Sequence, residues 1–181
     1  YIPWLNNGMA AIDAGTGKTV WTFEPQPADI GGRASSLGLR SLAYWTDGKD
    51  KRVFHNSGDG RLIAVDGVTG KAVAGFGRNG WINLREGIIE GTDATDVSSV
   101  SPALVVGDII VVQVIPGGSR NKEGAPGKIR GFDVRTGEMV WSFNPIAQPD
   151  DPNVKTWEGG SNLYTGQAGA WSMMSADPEL G

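Results

Sequence analysis

The sequence predicts an all-β fold of the β-propeller type. One short phrase returns three times, glycine, proline and tryptophan are abundant, and no long stretch keeps apolar residues at helical spacing. The phrase is A-x-D-x-x-T-G-x-x-x-W. Residues 11–21, 64–74 and 131–141 spell it, with Gly131 replacing the alanine in the third copy and Ala74 replacing the tryptophan in the second. An aspartate followed by Thr-Gly predicts a tight turn, because the carboxylate accepts backbone N–H bonds and glycine takes a positive φ. Each copy therefore reads as a strand, a turn and a returning strand. The spacing of Asp13, Asp66 and Asp133 suits one four-stranded blade per copy plus insertions. The indoles of Trp21 and Trp141 are expected to be buried between neighbouring sheets.

The composition agrees. The 28 glycines and 10 prolines break helices and make turns, and 7 tryptophans need burial or a flat partner. The chain of 181 residues suffices for one good core. Its opening "YIPWL" reads as the inside of a strand, so it is expected to be a mature or truncated piece. The β-rich runs follow in order: "VFHNSG" (53–58), "RLIAVD" (61–66), "ALVVGDIIVVQVI" (103–115), "KIRGFDV" (128–134) and "EMVWSF" (138–143). In the third of these, Gly107-Asp108 between two valine/isoleucine runs predicts a hairpin. Between the repeats, residues 24–40, 77–99, 113–127 and 144–170 read as long irregular stretches. In propellers such loops gather on one face, where a ligand site can be assembled.

Charge and residue content remove several function classes. A net charge of −4 argues against a nucleic-acid surface. No run of about 18 apolar residues offers a membrane span. There is no cysteine, which excludes disulfides, thiol nucleophiles and cysteine–metal sites. The single histidine, His55, is read as a strand residue, and the three repeat aspartates as turn-makers rather than acids or bases.

The repeated phrase resembles the tryptophan-docking repeat of the quinoprotein dehydrogenases, which use pyrroloquinoline quinone (PQQ). "LRSLAYW" (39–45) is similar to that family's R-G-x-A-Y-W segment, with Ser41 where glycine is usual. "GDGRLIAVDGVTGK", "FGRNGWINLREGI", "SPALVVGDIIVV" and "IRGFDVRTGEMVWSF" resemble its successive blades in order. "GAWSMMSADPELG" (169–181) is similar to the segment that floors the quinone site. The resemblance implies an eight-bladed propeller in the family, of which residues 1–181 would form three to four four-stranded blades as one truncated domain. It implies PQQ and calcium as cofactors, and a small alcohol, polyol or sugar substrate. It also implies a membrane quinone or cytochrome as electron acceptor, the remainder of the propeller as partner, and a periplasmic location.

The same resemblance supplies candidate cofactor-binding residues. Arg40 matches the arginine that contacts a PQQ carboxylate, for which a guanidinium is a fixed bidentate donor. Trp171 matches the tryptophan lying flat under the tricyclic quinone. Ser99 and Ser101 both lie near the position of a hydroxyl that bonds the cofactor. Ala34 and Ser35 stand where alcohol-oxidising relatives carry an adjacent cysteine pair, and Gly118 lies near their glutamate calcium ligand. Both departures favour the sugar- and polyol-oxidising branch. The catalytic aspartate and most calcium ligands are expected beyond Gly181, so the segment by itself is expected to be inactive. A second reading is a non-catalytic propeller scaffold, of the type of the lipoprotein that aids outer-membrane barrel insertion.

Overall fold

The computed structural model describes residues 1–4, 6–27, 42–88, 96–99, 101–117, 124–166 and 168–180. Among these described residues, twelve strands form three antiparallel sheets. The first sheet holds β1 (Ile2–Trp4), β2 (Gly8–Ile12) and β3 (Thr19–Phe23) in sequential order. The second holds β4 (Ala43–Thr46), β5 (Lys51–Asn56), β6 (Arg61–Asp66) and β7 (Trp81–Asn83), again in order. The third contains β8 (Asp96–Ser98), β9 (Leu104–Val106), β10 (Ile109–Gly117), β11 (Lys128–Asp133) and β12 (Met139–Phe143). There β8 and β9 pair with different parts of the long strand β10, and β11 and β12 follow outward. The predicted hairpin at Gly107 joins β9 to β10, with Val106 facing Ile109. Residues 113–117, read as irregular, instead continue β10.

Alternation along the strands of the second sheet explains why they read as nearly continuous apolar runs. Successive side chains point to opposite faces of a sheet, and here both faces are covered. Phe54, Leu62 and Ala64 face one way, into a core shared with Ile110, Val112, Val114 and Phe132 of the third sheet. Val53, Ile63 and Val65 face the other way, packing with Met9 and the partly buried Trp21 and Phe23 of the first.

All three repeat turns have the same construction. Asp13 Oδ1 accepts from the Thr16 N–H at 2.7 Å, and Asp66 Oδ1 from the Thr69 N–H at 2.6 Å. Asp133 Oδ1 accepts from the Thr136 N–H at 2.7 Å. Gly17, Gly70 and Gly137 close the turns at φ of 71°, 69° and 77°, each donating its N–H to the aspartate carbonyl. The carboxylates are held below their usual pKa. For Asp13 the chief cause is the Thr16 hydroxyl, and for Asp66 the Thr69 N–H. At Asp133 burial pushes upward, and the N–H groups of Thr136 and Arg135 outweigh it. These groups are committed to their turns. The small residue two positions before each aspartate also has a reason. Ala11 lies directly across from Trp21 and Gly131 across from Trp141, so the ring can lie over the facing strand.

The turn of one sheet receives the ring of the sheet before it. Trp21 lies against Gly70 of the second sheet, where a Cβ would come within 2.6 Å of its Cδ2. Its Nε1 donates to the Gly67 carbonyl at 3.1 Å, an oxygen that also accepts from the Tyr1 hydroxyl at 3.0 Å. The second copy has no tryptophan. After a bridge at Ala72 its chain leaves the sheet and returns as β7. Ile82 and Phe76 then meet Gly137 of the third sheet, and the Gly77 N–H donates to the Thr136 carbonyl at 2.8 Å. Arg52 adds bonds to the carbonyls of Val134 and Arg135 at 2.9 and 2.6 Å. Arg135 in turn lies 4.7 Å over Trp45 and pairs with Asp108 at 2.8 Å.

One expectation needs correction. Trp141 is not buried between sheets: it is 39% exposed, and all of β12 is exposed. No sheet lies against that face among the described residues, so the indole covers only Gly131 of its own sheet. The three sheets fall within the expected three to four blades. From 144 onward the described residues contain two short 3-10 segments, Val154–Thr156 and Glu158–Leu163, and no strand.

The docking geometry makes a differential prediction for the full-length protein. Gly17→Ala should cost only the left-handed backbone penalty of roughly 1–2 kcal/mol, because nothing lies within 4 Å of its added Cβ. Gly70→Ala should cost roughly 1–3 kcal/mol more, since its Cβ enters the Trp21 ring. Denaturant midpoints with unchanged slopes would measure both, and equal losses would refute the docking role.

Candidate functional site

The site is built where the second and third sheets meet, at the end of β5 remote from the Asp47–Asp50 turn. Asn56, the last residue of β5, projects into the seam and is 8% exposed. Its Nδ2 donates to Ser99 Oγ at 3.0 Å and to the Ser101 carbonyl at 3.0 Å. Both serines follow β8 and are buried. Ser101 Oγ then donates to the Trp171 carbonyl at 2.6 Å. Beside it Gln113, in the middle of β10, donates from Nε2 to the Ser172 carbonyl at 2.8 Å. The Ser101 hydroxyl and the Gln113 amide thus hold the backbone of Trp171 and Ser172, and the Asn56 amide holds Ser101.

Close backbone approach seats the Trp171 segment. A Cβ on Gly166 would overlap the carbonyl of Gly124, and one on Gly127 would overlap that of Ala168. Gly169 rests on Ile115. Residues 168–172 therefore lie against the third sheet, with the Trp171 and Ser172 carbonyls turned to Ser101 and Gln113, and the Trp171 side chain is left 67% exposed. An indole that is fixed at its backbone and open at its ring is a preformed platform for a flat partner.

The polar atoms beneath are incompletely used. Asn56 Oδ1 and Gln113 Oε1 are buried acceptors without a hydrogen-bond partner. Ser99 Oγ accepts from Asn56, and its own hydrogen finds no acceptor among the described residues. Buried polar atoms of this kind normally have partners, so the cluster has capacity for a polar ligand or ordered water. Among the described residues no group of three or more His, Asp or Glu side chains is placed to hold a metal.

Three of the four sequence candidates therefore converge: Ser99, Ser101 and Trp171. Arg40 lies outside the described residues, as do Ala34, Ser35 and Gly118. Asn56 and Gln113 were missed by motif reading. Their signal was a polar residue inside an apolar strand, Gln113 within "IIVVQVI" and Asn56 at the end of "VFHN". His55 is a strand residue as expected, 1% exposed and opposite Ile63. Burial lowers its pKa to about 4, against a smaller upward pull from Asp59.

Known proteins give this arrangement a family. The sequence pattern of the PQQ family described as "Glucose/ethanol/alcohol dehydrogenase, beta-propeller domain" matches residues 1–181. Quinate/shikimate dehydrogenase (quinone) of Acinetobacter baylyi is 33% identical over 97% of this chain and 24% of its own length. Quinoprotein glucose dehydrogenase A of Acinetobacter calcoaceticus is 31% identical over 99% of the chain and 24% of its own. The glycerol dehydrogenase large subunit of Gluconobacter oxydans is 31% identical over 100% and 25%. The crystal structure of quinohemoprotein alcohol dehydrogenase from Comamonas testosteroni superposes with a TM-score of 0.57 at 27% identity, over 81% of this chain and 20% of that one. The chain belongs to the PQQ dehydrogenase β-propeller family. It spans about a quarter of the length of the curated relatives it matches.

Burial of His55 predicts a pH signature. A buried neutral histidine binds its proton only below about pH 4, whereas the unfolded chain binds it below about 6.5. The unfolded state holds more protons between those values, so stability falls as pH drops through that window. His55→Leu in the full-length protein should remove this component, on the order of 3 kcal/mol between pH 6.5 and pH 4. Parallel stability curves for parent and variant would show that His55 is not the group responsible.

Proposed function

We propose that the chain is part of a PQQ-dependent dehydrogenase. The enzyme would oxidise a hydroxyl of an alcohol, polyol or aldose and pass the electrons to a membrane quinone or a cytochrome. The single observation that carries the reading is the Ser101–Trp171 bond, which ties the backbone of an open indole to buried hydroxyls and amides with unused bonding capacity. That donor set fits PQQ in kind: a flat ring system meets an indole face, and its polar edge meets neutral hydrogen-bonding groups. The names of the relatives, which cover glucose, glycerol, quinate/shikimate and alcohols, support a carbinol substrate.

When bound, PQQ supplies a two-electron acceptor for the substrate carbinol. This chain's residues bind and orient. Trp171 offers the stacking face, Ser99 the free hydroxyl hydrogen, and Ser101 holds the backbone of Trp171. Arg40 is assigned to a cofactor carboxylate on the resemblance of "LRSLAYW" alone. Calcium gains no ligand set from the described residues, and no step is assigned to it. The catalytic base is placed outside this chain, and the location proposed is the periplasm. The scaffold reading has no relative among those named above to support it.

Cofactor titration of the full-length protein tests the proposal, followed by dye-coupled oxidation of glucose, glycerol, quinate and ethanol. Trp171→Ala should weaken PQQ binding by roughly 1–3 kcal/mol, taking ring stacking on flat bases as the guide. Arg40→Ala should weaken it as well, through loss of a charge-assisted pair. A parent protein that neither binds PQQ nor reduces dye would leave the scaffold reading in possession. Unchanged affinity in both variants would remove the site assignment.

A further inference from the structure

We infer that Asn56 is a positioning residue for the ligand platform: it fixes Ser99 as a hydrogen donor toward the ligand and, through Ser101, sets the seat of Trp171. The inference rests on the reading of this cluster as the PQQ site. Asn56 belongs to the second sheet, whereas Ser99, Ser101 and the segment under Trp171 belong to or lie on the third. Among the side-chain bonds described at this end of the seam, the Asn56 amide alone crosses between the sheets to the serines.

Both of its hydrogens are spent. One goes to a carbonyl, which can only accept, so the orientation of the amide is fixed by chemistry: Nδ2 faces the serines and Oδ1 faces away. The other hydrogen occupies a lone pair of Ser99 Oγ. With the amide donating, the Ser99 hydroxyl hydrogen must turn elsewhere. Asn56 thereby sets the polarity of Ser99 as well as its place. The Ser101 branch acts on geometry. Pinning the Ser101 carbonyl orients the residue whose hydroxyl holds the Trp171 carbonyl at 2.6 Å. Asn56, Ser99 and Ser101 are all over nine-tenths buried, so water does not readily substitute for a lost member.

Asn56→Asp is the informative change because it keeps shape and reverses bonding. A carboxylate would accept the hydrogen from Ser99, withdrawing it from the ligand, and would face the Ser101 carbonyl with no hydrogen to give. The experiment uses the full-length protein. Two readouts are taken: PQQ affinity by titration, and the ligand-free emission of Trp171, isolated as the difference between each protein and its Trp171→Phe counterpart. Parents and variants are compared at matched thermal midpoints.

Asn56→Asp should shift the Trp171 emission and its quenching by acrylamide in the absence of PQQ. It should also weaken PQQ binding roughly 10-fold, the scale of one buried donor left unmatched. Ser101→Ala, which cuts the chain downstream, should reproduce the emission change. Asn56→Ser, which restores one donor, should recover part of the affinity. If Asn56 variants fail to fold, Ser101→Ala decides: an unaltered Trp171 emission overturns the inference. Normal PQQ binding by the parent together with unaltered emission and affinity in Asn56→Asp also overturns it, leaving the functional reading intact. No PQQ binding by the parent removes the functional reading. In that case the emission of the ligand-free variants still decides whether Asn56 seats Trp171.

Discussion

A flat ring resting on a turn that has no Cβ is the contact on which the rest of the structure depends. Sheets stack face to face only if their facing surfaces interlock; every repeat supplies a glycine in its turn, and the first and third supply a ring on the outer strand. At the first seam the fit is tight enough that a single methyl on Gly70 would enter the Trp21 ring. The aspartate and threonine are needed because the glycine must be presented flat, at positive φ, at the correct height. Their bonds are local, with Oδ1 of each aspartate taking the N–H three residues on. A short local code thus fixes a long-range contact.

At the second seam, that between the second and third sheets, the two ends are fastened differently. Where the strands turn at Asp47–Asp50 and Gly107–Asp108, the fastening is ionic. Arg135 joins Asp108 at 2.8 Å and Asp47 at 3.6 Å, with Trp45 beneath it and its Nε1 bonded to Asp108. These groups stand in water, where ion pairs add little stability and serve mainly to fix alignment. At the opposite end two cations of β11 donate to carbonyls of the second sheet's last segment, Arg130 to Leu84 and Glu86 and Lys128 to Gly87, and beside them lies a neutral buried cluster of Asn56, Ser99 and Ser101. A neutral buried fastening retains lone pairs and a hydroxyl hydrogen that a ligand can use, and an ion pair there would carry a heavy desolvation cost.

Much of this was legible in the sequence and some of it could not be. The three turns were readable because their chemistry is contained within five residues. The hairpin at Gly107 was readable for the same reason. Convergence of Ser99, Ser101 and Trp171 was suggested only by resemblance, because the residues that bring them together lie on three separate stretches of chain. Asn56 and Gln113 carry no motif, and what marks them is polarity at buried strand positions, which needs the sheet register to be recognised. Trp141 was misjudged because burial is a property of two surfaces, and the sequence of one strand describes only its own.

The second repeat shows what happens when the code is incomplete. Ala74 cannot supply a ring, and the chain responds with a detour through Gly77 before β7 returns to the sheet edge. Alternation along β7 then divides the work of the missing indole. Trp81 faces the first seam, lying within cation–π distance of Arg61 at 5.5 Å and Arg78 at 5.6 Å. Ile82 faces the second seam and meets Gly137. A ring contact is thereby exchanged for an aliphatic one together with a backbone bond from Gly77 to Thr136. An aliphatic contact constrains rotation less than a plane laid on a plane, so the second seam needs fastening from polar groups at both ends. Arg52 and Arg135 provide it at one end, and Asn56, Arg130 and Lys128 at the other. The loss of a tryptophan from one repeat and the polar bonds that cross the second seam at both ends are, on this argument, two parts of one solution to holding the third sheet in place.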